Sequence, residues 1–315
     1  MPAWNELLSE LTPIPGPEVG PWLVAKLNEW LKRLAAKRNG RNVIFYASGF
    51  LQKPAAPAMF LQIAPEDING LMSVMHGMDW SKHLTLVLHT PGGLTNATET
   101  IVEYLLQKFS QIEVIVPTFA MSGGTMVSLA ADNIVMGRQS QLGPIDAQMP
   151  VGGRSVSARA IVEQFQEAQS EILADTRRAA VWAAILQSLG PALLMEAKNA
   201  LDYGEHMVAK WLSERMFNGD DAKARDVAAY FNRSERHRSH GRRIDRAEAR
   251  SQGLNIEDLE SDSELQDIVL TNYHIATLIF EKSPAVKYIA SDNGQLWVKS
   301  LAPVTLPVMP PASGA

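Results

Sequence analysis

Four short, almost uninterrupted apolar runs alternate with helix-like stretches between residues 42 and 136. The runs are Asn42–Ser48 (NVIFYAS), Leu84–His89 (LTLVLH), Glu113–Thr118 (EVIVPT) and Asn133–Met136 (NIVM). Strands this apolar on both faces need cover on both faces. Between them, Glu66–His76 is opened by Pro65, and Thr95–Phe109 repeats Ala97, Ile101, Leu105 and Phe109 at every fourth position. Gly123–Ala131 is a third, shorter helix of small and apolar residues. Such alternation predicts an α/β fold, a largely parallel sheet flanked by helices.

The rest of the chain reads as additions to that sheet. Trp22, Leu23, Leu27, Trp30, Leu31 and Leu34 form a helical stripe within residues 20–38, closed by Gly40, after a proline-rich stretch 12–21 read as an arm or linker. Residues 155–216 read as long helices broken at Gly190-Pro191. Residues 263–282 are helical, and a flexible proline-rich tail is expected from Val298. The expected organisation is an N-terminal arm and helix (1–40), a core (41–260), and a C-terminal helix with the tail (261–315).

Composition excludes several chemistries. The chain has no cysteine, so disulfides, zinc–thiolate sites and a cysteine nucleophile are ruled out. With 46% hydrophobic residues in 315, it has enough length to bury a core without staples. The N-terminus lacks the basic and apolar regions of a secretory signal, and the longest comparable apolar run, Ala179–Leu186, is too short to span a membrane. A cytoplasmic location is therefore expected. Seven arginines crowd residues 232–250, but interspersed acids and a net charge of −5 make this a solvated face rather than a nucleic-acid site.

Two loops at the carboxyl ends of predicted strands carry candidate chemistry, where open α/β sheets place their sites. In His89-Thr90-Pro91-Gly92-Gly93, paired glycines let the backbone aim N–H groups outward, as an oxyanion hole requires. In Ala120-Met121-Ser122-Gly123-Gly124-Thr125, a serine stands between a strand and a helix N-terminus, where a nucleophile would be exposed and anionic charge favoured. Ser122 could equally be an N-cap, and the glycine pair a plain turn.

Taken together, PGG and, some 30 residues further on, SGGT resemble the Clp/crotonase superfamily. HTPGG, AMSGGT and the following LGPID (Leu142–Asp146) resemble the serine dehydrogenase proteinase family, a ClpP-class, signal-peptide-peptidase-A-like group of serine peptidases. The later Glu248-Ala249 and Gly253-Leu254 resemble the superfamily's closing element. This resemblance implies a Clp/crotonase-like fold and peptide hydrolysis through an acyl-enzyme on Ser122. It further implies an oxyanion hole from Gly93 (or Gly92) and Gly123, no metal or other cofactor, peptide or protein substrates, and a homo-oligomer, trimeric or a multiple of three. The stripe of residues 20–34 is expected to help hold that assembly. Met121, which could fill a gap in the core or in an apolar substrate groove, and Asp146 are read as candidate substrate contacts.

The general base is not evident from spacing. No histidine stands about 25 residues after Ser122, and the first lysine after it is Lys198. His89, Lys198 and His240 are the candidates, with Asp146 able to orient a partner. Without a base, a catalytically silent peptide-binding scaffold is the alternative. A crotonase-like acyl-thioester enzyme is a third reading.

Overall fold

The computed structural model describes residues 4–301 except 188, 191, 234–236 and 238. The tail beyond Leu301, Pro191 of the helix break, and Glu235, Arg236 and Arg238 of the arginine-rich stretch lie outside the described residues.

In chain order the elements are α1 (Trp4–Leu11), α2 (Gly16–Lys37), β1 (Asn42–Ser48), α3 (Ala58–Leu61), α4 (Asp67–Val74), β2 (Leu84–His89), α5 (Thr95–Lys108), β3 (Ile112–Val116), β4 (Phe119–Ala120), α6 (Gly123–Leu129) and β5 (Asn133–Met136). There follow β6 (Gln141–Leu142), β7 (Gln148–Val151), β8 (Arg154–Ser157), α7 (Ala158–Ala174), α8 (Ala179–Gln187), α9 (Leu193–Glu214) and α10 (Asp221–Asn232). The last are α11 (Arg246–Ser251), β9 (Ile256–Asp258), α12 (Ser263–Lys282), β10 (Ala285–Ser291) and β11 (Leu296–Ser300).

Seven strands form one sheet in the order β11-β10-β1-β2-β3-β5-β9. The five from β1 to β9 are parallel, and β10 and β11 run antiparallel at one edge. Every residue of β1, β2 and β3 is buried, as uninterrupted apolar runs require. Alternate residues feed two different cores. Ile44, Tyr46, Leu86, Leu88, Val114 and Ile134 pack with α4, α5, α6, α9 and α10. Val43, Phe45, Val87, Ile115 and Val135 pack with α1, α2 and α12 on the other face. The result is the expected layering, helices on both sides of a largely parallel sheet.

Three expectations about the termini need correction. Helix α2 starts at Gly16, inside the stretch read as a linker, because prolines are tolerated in a first helical turn. Its leucines, Leu23, Leu27, Leu31 and Leu34, are all at most 2% exposed and pack on the chain's own core, with Trp22 and Trp30 half-buried beside them. The stripe therefore serves the subunit rather than standing free for another. At the other end, Val298 belongs to β11, and β10 lies within the sheet next to β1.

Candidate active site

The loops after β2 and β3 are laced together by their backbones. Thr90 N–H donates to the Phe119 carbonyl (2.9 Å), and Met121 N–H donates to the Thr90 carbonyl (3.1 Å). On its other side the first loop is held by Ile63, whose N–H donates to the Gly92 carbonyl (2.7 Å) and whose carbonyl accepts from Leu94 N–H (3.0 Å). Gly92 has φ +96°, a conformation glycine enters freely. Its neighbourhood also demands glycine: a Cβ there would fall 2.6 Å from Ser122 Cβ and 2.9 Å from Gly123 N. One on Gly123 would sit 3.2 Å from Gly93 N. The two glycine loops thus meet at Ser122.

Ser122 has φ +52° and ψ −116°. It is the second residue of a tight turn closed by Gly124 N–H donating to the Met121 carbonyl (2.8 Å). A non-glycine residue in such a conformation costs on the order of 1–3 kcal/mol and persists only where its surroundings impose it. Thr125 supplies part of that hold, its Oγ1 donating to the Ala120 carbonyl (2.7 Å) and accepting from Gly143 N–H (2.8 Å). Ser122 occupies the N-cap position of α6, yet its side chain makes no cap hydrogen bond. Instead it lines a cleft of about 510 Å³ together with Pro91, Gly92, Gly93, Asp146 and His240.

Among the described residues, no carbonyl or side chain accepts from the amides of Gly93 and Gly123. Gly92 differs, since its N–H donates to Thr90 Oγ1 (3.1 Å). Of the two alternatives for the first donor, Gly93 is therefore the free one.

His240 and Asp146 enter the same cleft as a pair. His240 Nδ1 lies 2.8 Å from Asp146 Oδ1. The Asp146 side chain is 1% exposed and that of His240 28%. Asp146 Oδ2 also accepts from Ser157 Oγ (2.8 Å) and Gln148 Nε2 (2.9 Å). A carboxylate held this way fixes the imidazole with Nδ1–H toward it and leaves the Nε2 lone pair for another proton. The segment that follows His240 is braced twice. Ile244 exchanges both backbone hydrogen bonds with Leu142 (2.9 Å each), and Arg242 makes a two-pronged pair with Glu248 (2.6 and 3.0 Å).

Other candidates fall elsewhere. His89 is 1% exposed and closed in by the rings of Phe50, Phe119 and Tyr273, with ring centres 5.0–6.0 Å away. Its Nδ1 meets Thr118 Oγ1 (2.9 Å), and burial pushes its pKa from the ordinary 6.5 down to about 3. It is a core histidine, not a base for Ser122. Lys198 stands on an exposed face of α9, outside the cleft lining. Met121 packs over Gly143, where an added Cβ would lie 2.4 Å from its Cε, and Met126 lines the cleft instead. Asp146 does line the cleft, but its oxygens are committed to His240, Gln148 and Ser157 rather than open to substrate. His240 was one of three candidates by sequence. Its partner lies 94 positions away, a distance no motif spacing encodes.

Comparison with known proteins completes the picture. The family model of ClpP-like SDH-type serine proteinases matches residues 21–291. The chain belongs to that family. Membership in the ClpP-like SDH-type proteinases makes hydrolysis through a serine the class of chemistry in view. Two similar proteins come from Methanocaldococcus jannaschii. The uncharacterized protein MJ0137 is 34% identical over 122 residues, 38% of this chain and 43% of that protein. The uncharacterized protein MJ1495 is 44% identical over 66 residues, 21% of this chain and 23% of that protein. The matches span less than half the length of these curated relatives. No helix among the described residues is long and apolar enough to cross a membrane.

Proposed function

We propose that the chain is a serine endopeptidase in which Ser122 is the nucleophile, His240 the general base and Asp146 the residue that orients it. One observation carries this reading. Ser122, the paired His240 and Asp146, and the loop bearing the uncommitted Gly93 amide all border one cleft.

Ser122 Oγ attacks the scissile carbonyl while His240 Nε2 takes its proton. General-base assistance of this kind contributes typically 10²–10⁴-fold. The amides of Gly93 and Gly123 receive the oxyanion of the tetrahedral intermediate, and losing one such donor costs ~3 kcal/mol. His240 then gives the proton to the departing amine, and a water activated by the same imidazole releases the acyl group. An extended peptide fits beside the loop at Pro91 and the segment after Leu142–Asp146, adding a strand of its own.

The silent-scaffold alternative was motivated by the lack of a base. The His240–Asp146 pair in the cleft weighs against it, and family membership favours a proteinase over an acyl-thioester enzyme. ClpP-like proteinases are typically oligomeric, and we propose a homo-oligomer, a trimer or a multiple of it. Turnover of a quenched-fluorescent peptide library by the wild type and by Ser122→Ala tests the reading. Cleavage by the wild type and loss of at least 10³-fold in the variant are expected, in line with removal of a triad member. Equal cleavage by both would refute it.

A further inference from the structure

A buried charged cluster behind the oxyanion loop takes no part in the chemistry just described. Lys287 of β10 and Asp67 of α4 are both 0% exposed, with Nζ 2.6 Å from Oδ1. Burial pushes the Lys287 ammonium below its ordinary pKa, while the Asp67 charge pulls it back. A pair taken wholly out of water costs more in desolvation than it commonly returns, so its presence calls for a reason other than stability.

The contacts supply one. Lys287 Nζ donates to the Gln62 carbonyl (2.8 Å). Ser48, opposite Lys287 in the β1–β10 register, donates through Oγ to the Leu61 carbonyl (2.6 Å). Asp67 Oδ2 accepts from Ala64 N–H (2.9 Å) and from Tyr46 Oη (2.7 Å). Three side chains fixed in the sheet and α4 therefore hold residues 61, 62 and 64. Between them stands Ile63, whose N–H and carbonyl hold Gly92 and Leu94 on either side of Gly93. The backbones approach so closely that a Cβ on Gly93 would lie 2.2 Å from the Ile63 carbonyl oxygen.

We propose that Ser48, Lys287 and Asp67 are positioning residues that clamp residues 61–64 and so fix the Gly93 amide in the oxyanion hole. The catalytic half of this inference rests on the peptidase reading. The positional half does not. Movement of residues 61–64 moves Ile63 and, with it, the two backbone hydrogen bonds that flank Gly93. An oxyanion donor matters only once negative charge develops, so the clamp should act on kcat and leave KM nearly untouched.

The test pairs Lys287→Met with Asp67→Leu, removing both charges so that neither is stranded. Ser48→Ala is a milder variant that keeps the ion pair. Hydrogen exchange of the 90–95 peptide is read by mass spectrometry, with β3 as internal reference. Exchange in 90–95 should rise at least tenfold in the double variant, and measurably in Ser48→Ala, while β3 stays protected. Per active site titrated with a fluorophosphonate, kcat should fall at least tenfold with KM within twofold. Affinity for a peptide aldehyde, which forms a tetrahedral adduct, should fall by a similar factor. Unchanged exchange at 90–95 in either variant would overturn the clamp, whether or not the wild type cleaves peptides. If the double variant loses protection throughout, Ser48→Ala decides. Absent wild-type turnover with raised exchange at 90–95 would sink the peptidase reading and keep the clamp. Lower activity explained wholly by fewer titratable sites would reduce the cluster to a structural role and overturn its catalytic half.

Discussion

Ser122 holds a backbone conformation that favours glycine, with its hydroxyl free of the cap bond that would explain a serine there. The strain and the freed side chain point the same way, toward a nucleophile held by Thr125 and the two glycine loops. Asp146 should matter through His240 alone. Asp146→Asn, which keeps shape but lets the imidazole choose the wrong tautomer, is expected to lower kcat on the order of 10³-fold with KM little changed. Steady-state kinetics on a cleaved peptide check this, and a loss below tenfold would remove Asp146 from the mechanism. His89 gives a pH prediction of a different kind. Its folded-state pKa of about 3 lies below the ordinary 6.5, so the unfolded chain binds a proton that the folded chain refuses. Stability is then lost as pH falls from about 6.5 toward 3, by up to ~1.4 kcal/mol per pH unit. Urea unfolding at pH 7 and pH 4.5 should show a smaller pH dependence in His89→Phe than in the wild type; identical slopes would contradict it. Ser122 and the glycines were legible because their motifs are local in sequence. His240 and Asp146 each stood among the candidates, but their pairing was not legible, since it is made by the fold.

The loop after β2 works as a unit, and its glycines are dictated by its neighbours. Gly93→Val is expected to abolish measurable turnover, because even a Cβ collides with the Ile63 backbone. Displacing one oxyanion donor corresponds to ~3 kcal/mol, or on the order of 10²-fold in kcat, as a lower bound. Circular dichroism alongside the assay separates this from misfolding; a folded Gly93→Val protein with normal kcat would clear the loop of the role. At the same scale, β1, β2, β3 and β5 could be read from the sequence, since buried parallel strands are continuous apolar runs. Strand β10 could not. Its AVKYIAS carries Lys287, which reads as a solvated residue until Asp67, 220 positions earlier, is brought against it. Strand β9 has only three residues, and β11 leads straight into a proline-rich tail, so neither offers a period long enough to recognise.

As a whole, the molecule is a three-layer sandwich with its cleft at the carboxyl ends of the parallel strands, the position expected for this architecture. The N-terminal helices belong to one of the layers, which changes what their removal should do. A chain starting at residue 41 uncovers Val43, Phe45, Tyr288 and the inner face of α12. The four buried leucines of α2 alone contribute roughly 2 kcal/mol each. Thermal unfolding should show a collapse of the transition or an aggregated product, rather than a folded, smaller assembly. A folded truncated chain with native Tm would contradict that view. The oligomer stands as a separate claim, and light scattering of the full chain at micromolar concentration should give at least three subunits. The central claim is that Ser122 is a nucleophile activated by His240. It is tested most directly by reaction with a fluorophosphonate and mapping of the adduct by peptide mass spectrometry. The expected result is a single phosphonylated site at Ser122, with the second-order rate reduced at least a hundredfold in His240→Ala. No adduct at Ser122, or an undiminished rate in His240→Ala, would contradict it.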